Sequence, residues 1–178
     1  MSAKAAKAQV QDIQMKNLEP FVISRAFKAT PERLWKAFTE LEQMKQWFGP
    51  KGFTTKTAKL DFRPGGTYHY QLVSPDGHEM WGKFVYREIV PHSRIIFVNS
   101  FSDPGGGVTR HPMSPDWPER MLTTITFTPE GGKTRFAVEW APIDPTADER
   151  RTFDEGRGSM NQGWTGTFEQ LEEYLAKA

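Results

Sequence analysis

The sequence predicts an α+β domain: a curved antiparallel sheet of about six to seven strands wrapped around one long C-terminal helix, with two short helices after the first strand. Three observations carry this. Met160, Trp164, Phe168, Leu171 and Leu175 recur at helical spacing and fall on one stripe of the closing segment. Ahead of them lie mostly short β-rich segments divided by Pro/Gly turns. Thr30-Pro31-Glu32-Arg33 interrupts those segments as a helix start, with Thr30 as N-cap, Pro31 at the first helical position and an acid in the first turn. A helix laid across the concave side of a curved sheet can leave a hollow, and a hollow lined with aromatics can hold a small molecule.

The elements follow in order. A chain of 178 residues fits one domain. Residues 18–178 are assigned to it and residues 1–17 to a disordered segment, because the Ala/Lys-rich start has little to bury. Phe21 to Phe27 read as a strand. Leu34, Trp35, Phe38 and Leu41 give the first helix its apolar face, and a second short helix over 42–47 is stopped by Gly49-Pro50. Strands are expected at 53–61, 66–74, 79–90, 93–101, 119–128 and 132–140. The breaks Arg63-Pro-Gly-Gly66, Ser74-Pro-Asp-Gly77, Pro91-His-Ser93 and Pro129-Glu-Gly-Gly132 are of hairpin length, so consecutive strands should pair antiparallel. Residues 102–118 form a long, breaker-rich loop of the kind that covers sites. A capping box, Thr146 with Glu149, opens one continuous helical stretch to the C-terminus. Glycines 156, 158, 163 and 166 sit in its first part, each at a cost of about 1 kcal/mol against Ala.

The totals exclude several classes. With 23 basic against 22 acidic residues the net charge is +1, so nothing in the global balance draws the chain to nucleic acid or an anionic membrane. No cysteine is present, which removes disulfides, thiolate metal sites and a cysteine nucleophile, and points to a reducing cytoplasm. No stretch approaches the roughly 20 apolar residues of a membrane span. The N-terminus lacks the apolar middle of a secretory signal, although Lys4, Lys7 and the alanines allow a transient helix or a weak transit peptide. His69, His78, His92 and His111 are scattered, with no metal-binding spacing, nucleophile elbow or phosphate loop, so no metal and no cofactor are expected.

The order of elements is the helix-grip arrangement, and several short motifs point the same way. They are Thr30-Pro-Glu-Arg-Leu-Trp35, Trp47-Phe-Gly-Pro50 running to Gly52-Phe53, and Arg63-Pro-Gly-Gly66 before Tyr68. Pro75-Asp-Gly77, Gly82 before Glu88-Ile89, Pro91 before Arg94-Ile95, Thr123-Thr-Ile-Thr-Phe127 and Met160-x-x-Gly163-Trp164 continue them. Over about residues 20–177 the chain resembles the Aha1-like (Hsp90-ATPase-activator-homologue) group of the START/Bet v 1-like superfamily. That resemblance implies a hydrophobic cavity between sheet and C-terminal helix, with functions from ligand binding to polyketide cyclisation and no shared catalytic set. Its name comes from co-chaperones with an additional N-terminal Hsp90-binding domain; with only some 20 residues ahead of the fold, Hsp90 activation is not expected.

Strand alternation supplies candidate walls. Tyr68 and Tyr70 share a face with Leu72. Phe97 and Asn99 share one with Ile95 and Phe101, which makes Asn99 a polar group among apolar ones, paired either with a ligand or with neighbouring backbone. Met121 and Thr123 lie on the more apolar face of their strand, and Trp140 follows Phe136 and Val138. Trp47, Phe48 and Phe53 either cap one end of the cavity or staple the small helices to the sheet. Met160 and Trp164 bring the helix to the wall, with Trp164 offering an indole N–H, while Phe168 is read as core.

The first functional reading is a binder of a small hydrophobic or aromatic ligand. The second is a cyclase, dehydratase or hydrolase on an aromatic or polyketide-like substrate. It would require at least two of Tyr70, Glu139, His111 and Arg157 to meet at one point, with Asp61 a further candidate. The third is a protein-interaction or stress-response module with a filled core and an exposed apolar patch. A homodimer through the sheet is compatible with all three.

Overall fold

The computed structural model describes residues 19–177, so the assignment of residues 1–17 lies outside it. The elements are β1 (Phe21–Phe27), α1 (Pro31–Thr39), α2 (Leu41–Trp47), β2 (Thr54–Leu60), β3 (Thr67–Val73) and β4 (Glu79–Val90). They continue with β5 (Arg94–Ser102), β6 (Val108–Thr109), β7 (Met121–Glu130), β8 (Lys133–Pro142), α3 (Ala147–Glu155) and α4 (Arg157–Lys177). The sheet is antiparallel throughout, with strand order β1-β8-β7-β5-β4-β3-β2 and the short β6 paired to the end of β5. This is the helix-grip architecture. The expected count of six to seven strands missed only β6, two residues inside the long loop.

Local chemistry explains the boundaries. Thr30 Oγ1 accepts the Arg33 N–H at 3.1 Å and Pro31 opens α1. Gly131 and Gly132 have φ of 56° and 82°, so β7 and β8 join through a two-residue turn that needs left-handed backbone at both positions. Pro129 and Glu130 therefore belong to the strand rather than to the turn.

The closing helix is not the single continuous one that the sequence predicts, but two. Thr146 Oγ1 accepts the Glu149 N–H at 3.1 Å and starts α3, but Gly156 caps it and α4 restarts at Arg157. The break gives room to the loop before β7. A Cβ at Gly156 would lie 2.9 Å from the Trp117 ring.

One face of the sheet is covered by α1, α2 and α4. Tyr68, Tyr86, Ile95, Phe97, Ile125 and Phe136 point into this layer and are fully buried or nearly so. Toward the β1–β8 side the layer is filled: Phe38 packs on Phe136 with ring centroids 5.5 Å apart, and Phe168 of α4 packs on Phe27 at 5.6 Å and Phe136 at 5.8 Å. Toward the first half of α4 it is not.

Candidate functional site

The space left between the sheet and the first half of α4 is a cavity of about 400 Å³, a size typical of small-molecule sites. Its walls are mostly aromatic and methionine side chains. Tyr70 of β3, Phe97 and Asn99 of β5, and Met121 of β7 line the sheet side. Trp140 of β8 faces Met160 and Trp164 of α4, the two indoles meeting at 5.7 Å in a near-perpendicular pair. All of these are positions singled out by alternation or by the helical stripe.

Four others singled out with them do not reach the wall. Trp47 turns onto Phe38, and its indole N–H donates to the Ala37 carbonyl at 2.9 Å, so it staples α2 to α1. Phe53 packs at the margin of the core. Tyr68 is fully buried behind the rings of Phe48, Tyr70 and Phe84. Thr123 is also fully buried and donates its hydroxyl to Asn99 Oδ1. Asn99 therefore finds its partner in a side chain on the next strand and not in backbone.

The wall also holds residues outside the set that strand alternation and the helical stripe mark as lining. Phe48 rather than Trp47 turns into the cavity, with its ring 5.3 Å from Tyr70 and 5.7 Å from Phe84. The cause lies on α4: Gln170 Nε2 donates to the Gly49 and Trp47 carbonyls at 2.7 and 3.1 Å, and Thr167 donates to Gly49, which pins this turn. Gly82 faces Tyr70 in the β3–β4 register, and a Cβ there would fall 2.3 Å from the Tyr70 hydroxyl. Its missing side chain is what seats the phenol. His111, which the sequence placed in the long loop within reach of the cavity mouth, lines the wall together with Trp117 of the same loop, which no periodicity marks.

The loop is fastened on both sides. Lys83 donates to the Gly106 carbonyl at 2.9 Å, and His69 Nε2, stacked on Trp81, is 3.0 Å from the Asp103 carbonyl. Arg110 reaches Glu119 at 3.4 Å and the buried Glu149 of α3 at 3.8 Å. Glu149 thus serves the loop, although its part in a helix-capping box was what the sequence suggested.

Electrostatically the cavity is neutral. No Asp, Glu, Lys or Arg lines it among the described residues. Burial pushes the Tyr70 phenol well above its ordinary value, so it stays protonated. Burial pulls the His111 imidazole below its ordinary value. The Met113 N–H donates to His111 Nδ1 at 3.0 Å, so the neutral ring carries its hydrogen on Nε2. Tyr68 and Tyr86, whose phenols burial also raises, have hydroxyls without a hydrogen-bond partner among the described residues.

The other candidate catalytic residues lie elsewhere. Glu139 is exposed on the outer face of β8. Arg157 is held by Asp154 and by the carbonyls of Glu19 and Pro20. Asp61 pairs with Arg63 at 2.8 Å. Of the proposed proton-transfer set, Tyr70 and His111 alone share the cavity.

A helix-grip sheet closed over a neutral, aromatic-walled cavity defines a protein of the Bet v 1-like class. More narrowly, the chain belongs to the family described as activator of Hsp90 ATPase homolog 1-like protein, whose model matches residues 28–176. Among solved structures it is similar to a protein from Nitrosomonas europaea, with 23% identity, a TM-score of 0.71, and coverage of 90% of this chain and 96% of that one. It is also similar to the AHSA1 protein from Silicibacter pomeroyi, at 19% identity, TM-score 0.69, and coverage of 88% and 97%. A protein from Rhizobium leguminosarum gives 28% identity, TM-score 0.64, and coverage of 89% and 95%. Curated proteins give no match. Among the described residues no helix is long and apolar enough to cross a membrane.

Proposed function

We propose that this protein binds a small, largely apolar or aromatic molecule in the cavity between its sheet and the first half of α4. The observation that carries the reading is the cavity itself: about 400 Å³ walled by rings and methionines, inside a domain whose other end is tightly filled. A ring system of indole size buries roughly 200 Å². At about 25 cal/mol per Å² this gains about 5 kcal/mol before the entropy cost of association is subtracted, so on its own it gives a Kd no tighter than a few tenths of a millimolar. Tighter binding has to come from polar contacts and from closure by the loop carrying His111 and Trp117.

Catalysis in this cavity would rest on Tyr70 and His111. Tyr70 holds its proton too firmly to act as a base, and no carboxylate lines the wall to assist it, so binding is the reading supported best. An interaction module would call for a filled core, which the hollow argues against. The cysteine-free composition supports a reducing compartment, the cytoplasm.

The test compares native and denaturing mass spectra of protein purified from its own host. A reproducible extra mass released on denaturation is the expected result. A bare native mass, together with failure of neutral aromatic probes to bind, would reject the reading.

A further inference from the structure

Several donors lining this cavity lack a partner among the described residues, beside the hydroxyls of Ser100 and Ser159, which can donate or accept. The hydroxyl of the fully buried Thr123 donates to the Asn99 carbonyl oxygen. The amide nitrogen of Asn99 then has two hydrogens and no partner among the described residues, on a residue that lines the cavity. The Tyr70 hydroxyl, laid across Gly82, has no partner among the described residues either. At the mouth, His111 accepts from the Met113 N–H through Nδ1 and so offers an Nε2–H. Asn99 Nδ2, the Tyr70 hydroxyl and His111 Nε2 are three donors set into an apolar wall. Neither a carboxylate nor a cation lines the same wall among the described residues.

Two consequences follow from elementary energetics. An occupant with no acceptor leaves buried donors unpaired, a loss that a neutral carbonyl oxygen repairs. An anionic occupant gains the same hydrogen bonds but has to leave water with no counter-charge beside it, which costs far more than a neutral hydrogen bond returns.

We propose that the cavity selects a neutral aromatic molecule bearing a hydrogen-bond-accepting carbonyl, an aryl ketone or quinone-type compound, with Asn99 as the principal donor to that oxygen. This rests on the ligand-binding reading above and names the chemistry of the occupant.

The probes are 2-acetylnaphthalene, 2-ethylnaphthalene and 2-naphthoate, which share a ring system and differ in carrying a neutral carbonyl, no acceptor, or a charge. Affinities are measured by titration against tryptophan fluorescence for the wild type, Asn99→Leu and Tyr70→Phe. The ratio of ketone to hydrocarbon affinity should fall roughly three- to tenfold in Asn99→Leu, with the hydrocarbon bound at least as tightly as by the wild type, which also shows that the variant keeps its cavity. Tyr70→Phe removes only an oxygen and repeats the test with packing intact. Naphthoate should bind the wild type at least about tenfold more weakly than the ketone.

A ratio unchanged in both variants, or naphthoate binding as tightly as the ketone, would overturn the inference while leaving a cavity that binds hydrocarbon. Failure of all three probes would instead remove the ligand-binding reading, and this inference with it.

Discussion

The two halves of α4 face the same sheet and do opposite things. In the second half, Phe168 and Leu171 are 1% and 0% exposed, and Phe168 meets Phe27 and Phe136. α1 and α2 add the buried side chains of Leu34, Phe38, Met44 and Trp47 to the same space. In the first half, no second helix intrudes. Gly156 yields to Trp117, and a Cβ placed on Gly163 would meet nothing within 4 Å. The hollow is therefore made by leaving things out: the small helices stop short of it, and glycines stand where side chains would project. On the proposed reading, stability resides at one end of a single layer and binding capacity at the other.

That contrast can be broken by mutation. Phe38→Ala strikes the filled end and should cost about 3–5 kcal/mol of unfolding free energy in a denaturant titration. Trp164→Ala borders space that is already empty, so it should cost less than about 3 kcal/mol while weakening an aromatic probe roughly tenfold. If Trp164→Ala proves as destabilising as Phe38→Ala and binding survives, the two ends are alike and the division fails.

Gly163→Ala should act in the reverse sense. It removes a helix penalty of about 1 kcal/mol, so thermal unfolding should shift upward, yet the new methyl narrows the cavity and should weaken binding. Tyr86→Phe deletes a buried hydroxyl that has no partner among the described residues. It should be neutral or stabilising by up to about 1 kcal/mol, whereas a clear loss would reveal an interior hydrogen bond to that oxygen.

The smallest effect concerns pH. Burial lowers the His111 pKa in the fold below the unfolded value of about 6.5, so the unfolded chain binds the proton first. The contribution of His111 is complete above that value and is lost as pH falls through the lower folded one. Stability of the wild type measured from pH 7 down to 5 should decline slightly more than that of His111→Gln; identical profiles would mean that His111 is not shielded at the mouth.

Much of this contrast was legible in the sequence, because it depends on periodicity. Period-two alternation put Tyr70, Phe97, Asn99, Met121 and Trp140 on the concave face, and period-3.6 spacing put Met160 and Trp164 above them. What periodicity cannot give is depth along a face. Tyr68 and Tyr70 share a face of β3, yet only Tyr70 reaches the cavity, because Phe48 and Phe84 overlie Tyr68. Thr123 likewise shares a face with Met121 but lies beneath the surface and acts by holding Asn99.

The choice between Trp47 and Phe48 was settled by a contact distant in sequence, the hold of Gln170 and Thr167 on the Gly49 turn. Trp117 and His111 sit on irregular chain, where spacing carries no information. The break at Gly156 was visible only as one glycine among several; its meaning came from the ring opposite it.

The central claim is that the first half of α4 stands over an open seat for an apolar ring. Calorimetric titration of 2-ethylnaphthalene into the wild type and into Gly163→Leu addresses it directly. The wild type should bind one-to-one, and the Gly163→Leu protein should unfold at the same or a higher temperature but have lost that binding. Equal binding by the two proteins would place the ring elsewhere, and no binding by either would mean that the cavity is not a seat at all.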